Sequence, residues 1–308
     1  MLFVGKLAYL ALFPGVLFMV TAGAAARAVA AGAGGVIAGF SRPGRMPVTL
    51  ALNHLGVECV ASGGSTHAAV WLVPAVRLTA LSWACCILFG FLPGDLFLLY
   101  SLLLLAAGSG VLFAFVSDNP RVRRQAWPEA VSLCAWALPF SLVTGCLVLR
   151  TGEVGVLELI RLQGASGSTL AGPSGGAAAD VGMALALLAA LFATSAFSRL
   201  KPLGRNGFLG AGALLDEVSG PPLAFFLAGD AAALFVSSLT LVACFFAGPA
   251  GNWYQVAFWA LKVAGVLVLL GLVDAACSRA RQGRVALWGV AMAGGIALAA
   301  AVLVWVGV

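Results

Sequence analysis

Long apolar stretches separated by short polar ones run through most of the chain. A helix needs about 20 predominantly apolar residues to cross the hydrocarbon core of a bilayer, and about eight stretches of this kind occur here. The predicted spans are 8–26, 68–92, 96–116, 130–149, 177–197, 223–246, 254–273 and 286–307. We therefore expect an all-α integral membrane protein in which residues 1–308 form a single transmembrane domain, one bundle of about eight helices.

The composition agrees with burial in lipid. Apolar residues make up 62% of the chain and charged residues only 9%, whereas a soluble globular domain carries about 25% charged residues. A soluble fold of this length would need more charge to cover its surface. A lipid-facing surface needs none, because the acyl chains are as apolar as the side chains that face them.

Positive charge alternates along the connections between the predicted spans. The first, third, fifth and seventh connections each hold three Lys or Arg residues, the second and sixth hold none, and the fourth holds two. The odd-numbered connections hold Arg27, Arg42, Arg45, Arg121, Arg123, Arg124, Arg199, Lys201, Arg205, Arg279, Arg281 and Arg284, and the fourth holds Arg150 and Arg161. Cytoplasmic loops carry an excess of such cations. The pattern predicts a multi-pass protein of the cell inner (cytoplasmic) membrane with both termini outside, and it explains the net charge of +6 without nucleic-acid binding.

Residues that could form a metal or catalytic site are scarce. The chain has seven cysteines, none in a C-x-x-C pair, and two histidines. An odd cysteine count without metal-ligand spacing is typical of small buried apolar side chains. No phosphate-binding loop or nucleophile motif occurs. We therefore predict no catalytic residue, no metal and no cofactor in this chain.

A few charged residues lie within or beside apolar segments. An ionised side chain there has an unfavourable solvation free energy and is often functional. Glu129 follows Pro128 at the predicted start of the fourth span, Asp230 lies one to two turns inside the sixth, and Lys262 lies in the seventh. Glu129 has a second interpretation, an interfacial acid favoured by the helix dipole. Asp230 has one too, an ion pair with Lys262 or Arg77 inside the bundle. The candidate proton path comprises Glu129, Asp216, Glu217, Asp230 and Lys262.

Several motifs resemble those of the heart-shaped proton-channel subunit of complex I, called subunit 1. The family's Glu-Tyr-Ser-Gly-Pro motif corresponds to Glu217-Val218-Ser219-Gly220-Pro221, and its Leu-Leu-Gly-Lys-Glu element to His54-Leu55-Gly56-Val57-Glu58. Its seventh-span lysine corresponds to Lys262, and the acid and Ala-Arg-x-Arg pattern that follow correspond to Asp274 and Ser278-Arg279-Ala280-Arg281. Formate hydrogenlyase and other group 4 membrane-bound NiFe hydrogenases contain the most similar membrane subunits, of which this chain looks like a divergent member.

The resemblance covers nearly the whole chain, and it departs from the family at two sets of acids. The second acid of the family's fourth span falls on Ala137, and the acidic run of its fifth connection falls on 203–210, where no acid occurs. The scaffold therefore looks retained while the usual proton-loading acids look depleted.

The resemblance implies a membrane-anchor subunit of a complex I-like or group 4 hydrogenase-like oxidoreductase, with a proton path as the wider expectation. Its partners would be hydrophilic hydrogenase or iron–sulfur subunits, which hold the NiFe or iron–sulfur centres, together with antiporter-like membrane subunits and the lipid bilayer. The candidate docking surface comprises Arg27, Arg42, Arg45, Glu58, Arg199, Arg205, Asp274, Arg279 and Arg281. The alternative is a stand-alone secondary transporter or channel with Arg77, Asp230 and Lys262 as its substrate or ion site.

Overall fold

The computed structural model describes residues 9–12, 14–38, 67–117, 120–166, 168–170, 176–198, 220–246, 253–277 and 282–308. The helices in these ranges are α1 (Val16–Ala38), α2 (His67–Leu88), α3 (Leu96–Val116), α4 (Pro120–Thr151), α5 (Val156–Ser166), α6 (Ala177–Ser198), α7 (Pro221–Phe245), α8 (Trp253–Cys277) and α9 (Gln282–Gly307). The same ranges contain no strand. The prediction of an all-α fold is confirmed.

Six helices within the described ranges are long and apolar enough to cross a membrane. Their apolar parts are Tyr9–Ala30, Ala69–Leu88, Leu96–Val116, Ala177–Thr194, Pro221–Phe245 and Val256–Val273. Shorter apolar helical parts, Ala137–Thr151 in α4 and Ala291–Gly307 in α9, overlap the remaining two predicted ranges. The chain is a multi-pass membrane protein.

The first helix continues well beyond the predicted end of the first span at residue 26. It runs to Ala38, so Arg27 lies inside α1 and not in a loop. The segment after Arg27 is rich in alanine, the strongest helix former, which lets the helix continue past the charge. The Arg27 side chain is only 6% exposed. The prediction that Arg27 lies in a connection is therefore wrong: this member of the candidate docking surface is buried within a helix.

The fourth span also begins earlier than predicted. Helix α4 starts at Pro120, a residue whose fixed φ suits the first position of a helix. At about 1.5 Å per residue its 32 residues extend for about 48 Å, more than the roughly 30 Å of hydrocarbon. Glu129 therefore lies in the middle of a continuous helix. Its interpretation as an acid stabilised by the helix N-terminus is wrong, because that effect fades within the first turn.

Helix α7 lies at the centre of the packing. It contacts α1, α2, α6 and α8 along its length and α3 and α5 more locally. Its contact with α1 is close, since a Cβ added to Gly23 would lie 2.5 Å from the Ala231 backbone. Nearly every residue from Pro222 to Phe245 is buried. An acid on this helix therefore faces protein and not lipid.

Hydrogen bonds between connections define one end of the bundle, which we call the termini end. The Leu96 amide donates to the Val154 carbonyl at 2.9 Å, and the Gly176 amide donates to the Gly307 carbonyl at 3.0 Å. The Tyr9 ring lies 4.8 Å from the Phe91 ring, measured between centroids. The first described residues, the connections after α2 and α4, and the chain's last residues thus share this end.

The opposite end, which we call the loop end, is marked by an apolar cluster. Its buried members are Val70, Phe113, Leu223, Phe226 and Leu227. These residues lie near the start of α2, the end of α3 and the start of α7. The predicted first, third and fifth connections therefore leave the bundle on the same side.

Candidate functional site

A buried ion pair between α2 and α7 is the central polar feature of the bundle. The Nη2 atom of Arg77 lies 2.6 Å from the Oδ1 atom of Asp230. The two residues are only 7% and 8% exposed. The pair removes the net charge that either side chain alone would bring into the bundle, and it joins the two helices.

The pair lies deep within the helices that carry it. Arg77 follows the first residue of α2 by ten residues and Asp230 follows the first residue of α7 by nine, or about 15 and 13 Å along the axes. A hydrocarbon core about 30 Å thick places these depths near its middle. Each charge alone would be strongly disfavoured there, so the two positions depend on each other.

Small and apolar neighbours shape the surroundings of the pair. A Cβ added to Gly229 would lie 3.1 Å from Cδ of Arg77, so the glycine beside Asp230 lets the arginine side chain pass close to α7. The apolar cluster near the loop end, in which the Phe113 and Phe226 rings meet edge to face at 5.5 Å, lies between the pair and that end. The pair is therefore shielded from water on that side.

The backbone at the start of α7 fixes where Asp230 falls. Gly220 has φ 77° and ψ −152°, a region that is essentially restricted to glycine. Pro221 and Pro222 then occupy the first helical positions, where a missing amide proton costs nothing. This Gly-Pro-Pro start sets the first residue of the helix and thereby the depth of its acid.

The structure decides between the two cations considered for Asp230 in favour of Arg77. Both cations had been considered as partners, and the ion pair is with Arg77. Lys262 lies half-buried in α8, nine residues after its start. Arg77 was absent from the candidate proton path. The sequence feature that could have identified Arg77 is that it is a lone cation within an apolar span, three residues after Pro74.

The structure describes less of the other acids in the candidate proton path. Asp216 and Glu217 lie outside the described residues. Glu129 is described only for its backbone, within α4. A proton path through these residues stays a prediction.

Most of the candidate docking surface also lies outside the described residues. This applies to Arg42, Arg45, Glu58, Arg199, Arg205, Arg279 and Arg281. Asp274 lies in the last turn of α8, and its side chain is not described. Arg123 is exposed in the first turn of α4 at the loop end, so a basic side chain does project there.

A second arginine–aspartate pair joins α4 to α6 at the termini end. The Nη2 atom of Arg150 lies 2.6 Å from the Oδ1 atom of Asp180. Arg150 lies in the last turn of α4 and Asp180 in the first turn of α6. From the sequence, Arg150 was expected in the connection after the fourth span. Its pair with Asp180 was not predicted, because the two residues are 30 positions apart in the sequence.

Among the described residues, no three His, Cys, Asp or Glu side chains come together in a way that could hold a metal ion. Cys85, Cys86, Cys146 and Cys244 are free and buried in the described part of the bundle. They act there as small apolar side chains.

Comparison with known proteins shows the fold. No protein-family model matches this chain, and no curated protein sequence matches it. A solved structure of the membrane-bound sulfane sulfur reductase (MBS), an archaeal respiratory membrane complex, contains a similar chain. The TM-score is 0.74 at 20% sequence identity, over 94% of this chain and 97% of that chain. The two chains therefore share one fold over nearly their whole lengths.

Proposed function

We propose that this chain is a membrane-anchor subunit of a complex I-like or group 4 hydrogenase-like (formate hydrogenlyase-type) oxidoreductase, equivalent to subunit 1 of complex I. The observation that carries the proposal is the shared fold with a chain of a respiratory membrane complex, matched from end to end. The sequence motifs independently resemble the same group of subunits. A likeness that covers both chains almost completely favours an equivalent place in a complex over a shared fragment.

The partners follow from the two kinds of surface. Soluble iron–sulfur or NiFe-containing subunits would dock at the loop end, where Arg123 is exposed in the part of α4 that exceeds the membrane thickness. Antiporter-like membrane subunits or lipid would cover lateral apolar faces such as Phe258 and Leu261 of α8. The chain would lie in the cell inner membrane with its loop end in the cytoplasm and both termini outside.

Anchoring is favoured over ion conduction by the state of the central acid. Asp230 is engaged by Arg77 at 2.6 Å, which suits a charge pair that holds helices together. Residue 137, where the related subunits carry a second acid, is an alanine. A proton path through Glu129, Asp216, Glu217, Asp230 and Lys262 is the wider form of the proposal.

Reversal of charge at the loop end tests the docking. The triple variant Arg121→Glu, Arg123→Glu and Arg124→Glu changes the basic first turns of α4, while Arg161→Glu changes an exposed arginine of α5 on the side of the termini end. After purification in mild detergent at low salt, where charge pairs are least screened, the triple variant should lose most of the soluble subunits. The Arg161→Glu variant should keep them.

Two results would count against this proposal. Retention of soluble subunits by the triple variant would place the dock elsewhere. Purification of the unaltered chain as a homo-oligomer without iron-containing subunits would refute the anchor role and favour the stand-alone transporter.

A further inference from the structure

Thr194 of α6 differs from the other threonines in the described helices. The Oγ1 atoms of those threonines donate to the carbonyl four residues earlier at 2.7–3.0 Å, as Thr21, Thr79, Thr144, Thr151 and Thr240 all do. Thr194 is 1% exposed, and its Oγ1 has no hydrogen-bond partner among the described residues. A buried hydroxyl with no partner is unusual in a folded protein and calls for a specific explanation.

Thr194 lines a small, partly open cavity between the helices. Tyr100 of α3, Phe140 of α4 and Ser237 of α7 line the same cavity, and its other walls are apolar. The centre of a water molecule has about 10 Å³ of space in it. This is about the room that one water molecule needs.

Tyr100, which lines this cavity, carries a hydroxyl oxygen that can accept a hydrogen bond. Its hydroxyl donates to the Ala137 carbonyl at 3.0 Å, and its ring stacks on Phe140 with centroids 5.4 Å apart and planes inclined by 14°. The hydroxyl oxygen therefore has a fixed position, its proton is already used, and its lone pairs are available. Ser237, 6% exposed, adds a hydroxyl that can both donate and accept.

We propose that this cavity is a binding site for one internal water molecule, held by Thr194, Ser237 and Tyr100. The water accepts a hydrogen bond from the Thr194 hydroxyl, donates one to the Tyr100 oxygen and exchanges one with Ser237. Three partners are the usual number for a buried water. The proposal is independent of the function proposed above, because it rests only on the cavity and its hydroxyl groups.

The water would join three helices of the bundle. Thr194 belongs to α6, Ser237 to α7 and Tyr100 to α3. Ser237 follows Asp230 by seven residues, two helical turns, and therefore lies on the same face of α7. Polar contact on this face thus continues from the buried ion pair toward the termini end.

The Thr194→Val variant tests the proposal, because valine keeps the shape of threonine and removes the hydroxyl. Thr144→Val is the matched control: its hydroxyl is already bonded to the Phe140 carbonyl, and Thr144 lines a neighbouring cavity that also includes Tyr100 and Phe140. The readouts are the thermal unfolding midpoint of the full chain in detergent and the density in the cavity in a high-resolution structure of the assembled protein.

We expect a water peak in the unaltered protein and in Thr194→Ser, which keeps the hydroxyl. In Thr194→Val we expect loss of the peak and a midpoint several degrees below that of Thr144→Val. A dry cavity predicts the reverse, since removal of a buried hydroxyl without a partner stabilises a protein. A midpoint equal to or above that of the control, or a cavity without density in the unaltered protein, would overturn the proposal.

Discussion

Two arginine–aspartate pairs of equal length, 2.6 Å, join helices in very different surroundings. The Arg77–Asp230 pair has side chains only 8% and 11% exposed, whereas in the Arg150–Asp180 pair the arginine is 2% exposed and the aspartate 40%. Geometry alone would rate the pairs as equivalent. Their surroundings differ at the acid: Asp180 is partly hydrated, whereas both members of the inner pair are buried, and a buried charge depends more on its partner.

Helix ends add to the difference. Arg150 lies in the last turn of α4 and Asp180 in the first turn of α6, where each charge is favoured by the dipole of its own helix. Arg77 and Asp230 lie near the middle of α2 and α7 and gain nothing from those dipoles. The inner pair therefore gains nothing from helix ends and little from water, whereas the outer pair is favoured by both helix ends and its aspartate by water.

The largest expected effect comes from removing one member of the inner pair. Asp230→Asn should destabilise the bundle by about 3–5 kcal/mol, because the buried Arg77 loses its charged contact with Asp230. We expect a clear fall in the yield of monodisperse protein on size-exclusion chromatography and a lower unfolding midpoint in detergent.

A second substitution tests whether Arg77 or Lys262 is the partner of Asp230. Adding Arg77→Met to Asp230→Asn should recover much of the lost stability, since the uncompensated charge is gone. Adding Lys262→Met instead should not. Recovery with Lys262→Met, or a single variant as stable as the unaltered protein, would contradict the assignment of Arg77 as the partner.

An intermediate effect is expected at the glycine that starts the helix of the inner pair. Gly220→Ala should cost about 1–3 kcal/mol, because φ 77° with ψ −152° is strained for any residue with a Cβ. Gly152, which follows the helix of the outer pair, also has a positive φ of 70°. A Cβ added there meets no atom within 4 Å. Gly152→Ala should therefore cost less, about 1 kcal/mol. Equal unfolding midpoints for Gly220→Ala and Gly152→Ala would contradict this difference between the two glycines.

The smallest effect is expected at the outer pair. Asp180→Asn should lower the free energy of unfolding by only about 1 kcal/mol, because Asp180 is 40% exposed and Arg150, although itself only 2% exposed, keeps its favourable position at the end of α4. The difference should shrink as sodium chloride is raised from low concentration to roughly 0.5 M in thermal unfolding. A loss as large as that of Asp230→Asn would show that exposure does not separate the two pairs.

Hydropathy predicted the course of the chain well, because spans such as 96–116 and 177–197 coincide with apolar helices. It misplaced helix ends where helix propensity continued a helix past a charged residue. Arg27 and the basic residues 121–124 looked like loop residues because they are charged, yet alanine-rich or proline-started segments kept them helical.

The candidate site was harder to predict from the sequence than the helices were. Asp230 stood out as an acid in an apolar span, but the choice between Arg77 and Lys262 depends on which helices are neighbours in space. Periodicity does not report that arrangement. Nothing in the sequence distinguishes Thr194 from Thr144. The two differ in whether the hydroxyl bonds to the carbonyl four residues earlier, which only the structure shows.

The distance along the chain between Arg77 and Asp230 has a consequence for biosynthesis. About 150 residues separate them, so at about 5–20 residues per second the ribosome needs roughly 8–30 s between making the arginine and making its counter-ion. During that time α2 must wait with its cation either at the membrane surface or in the insertion machinery. This early helix thus gains its contact with Asp230 only after a late one has been made, and a chain that stops before α7 lacks that contact.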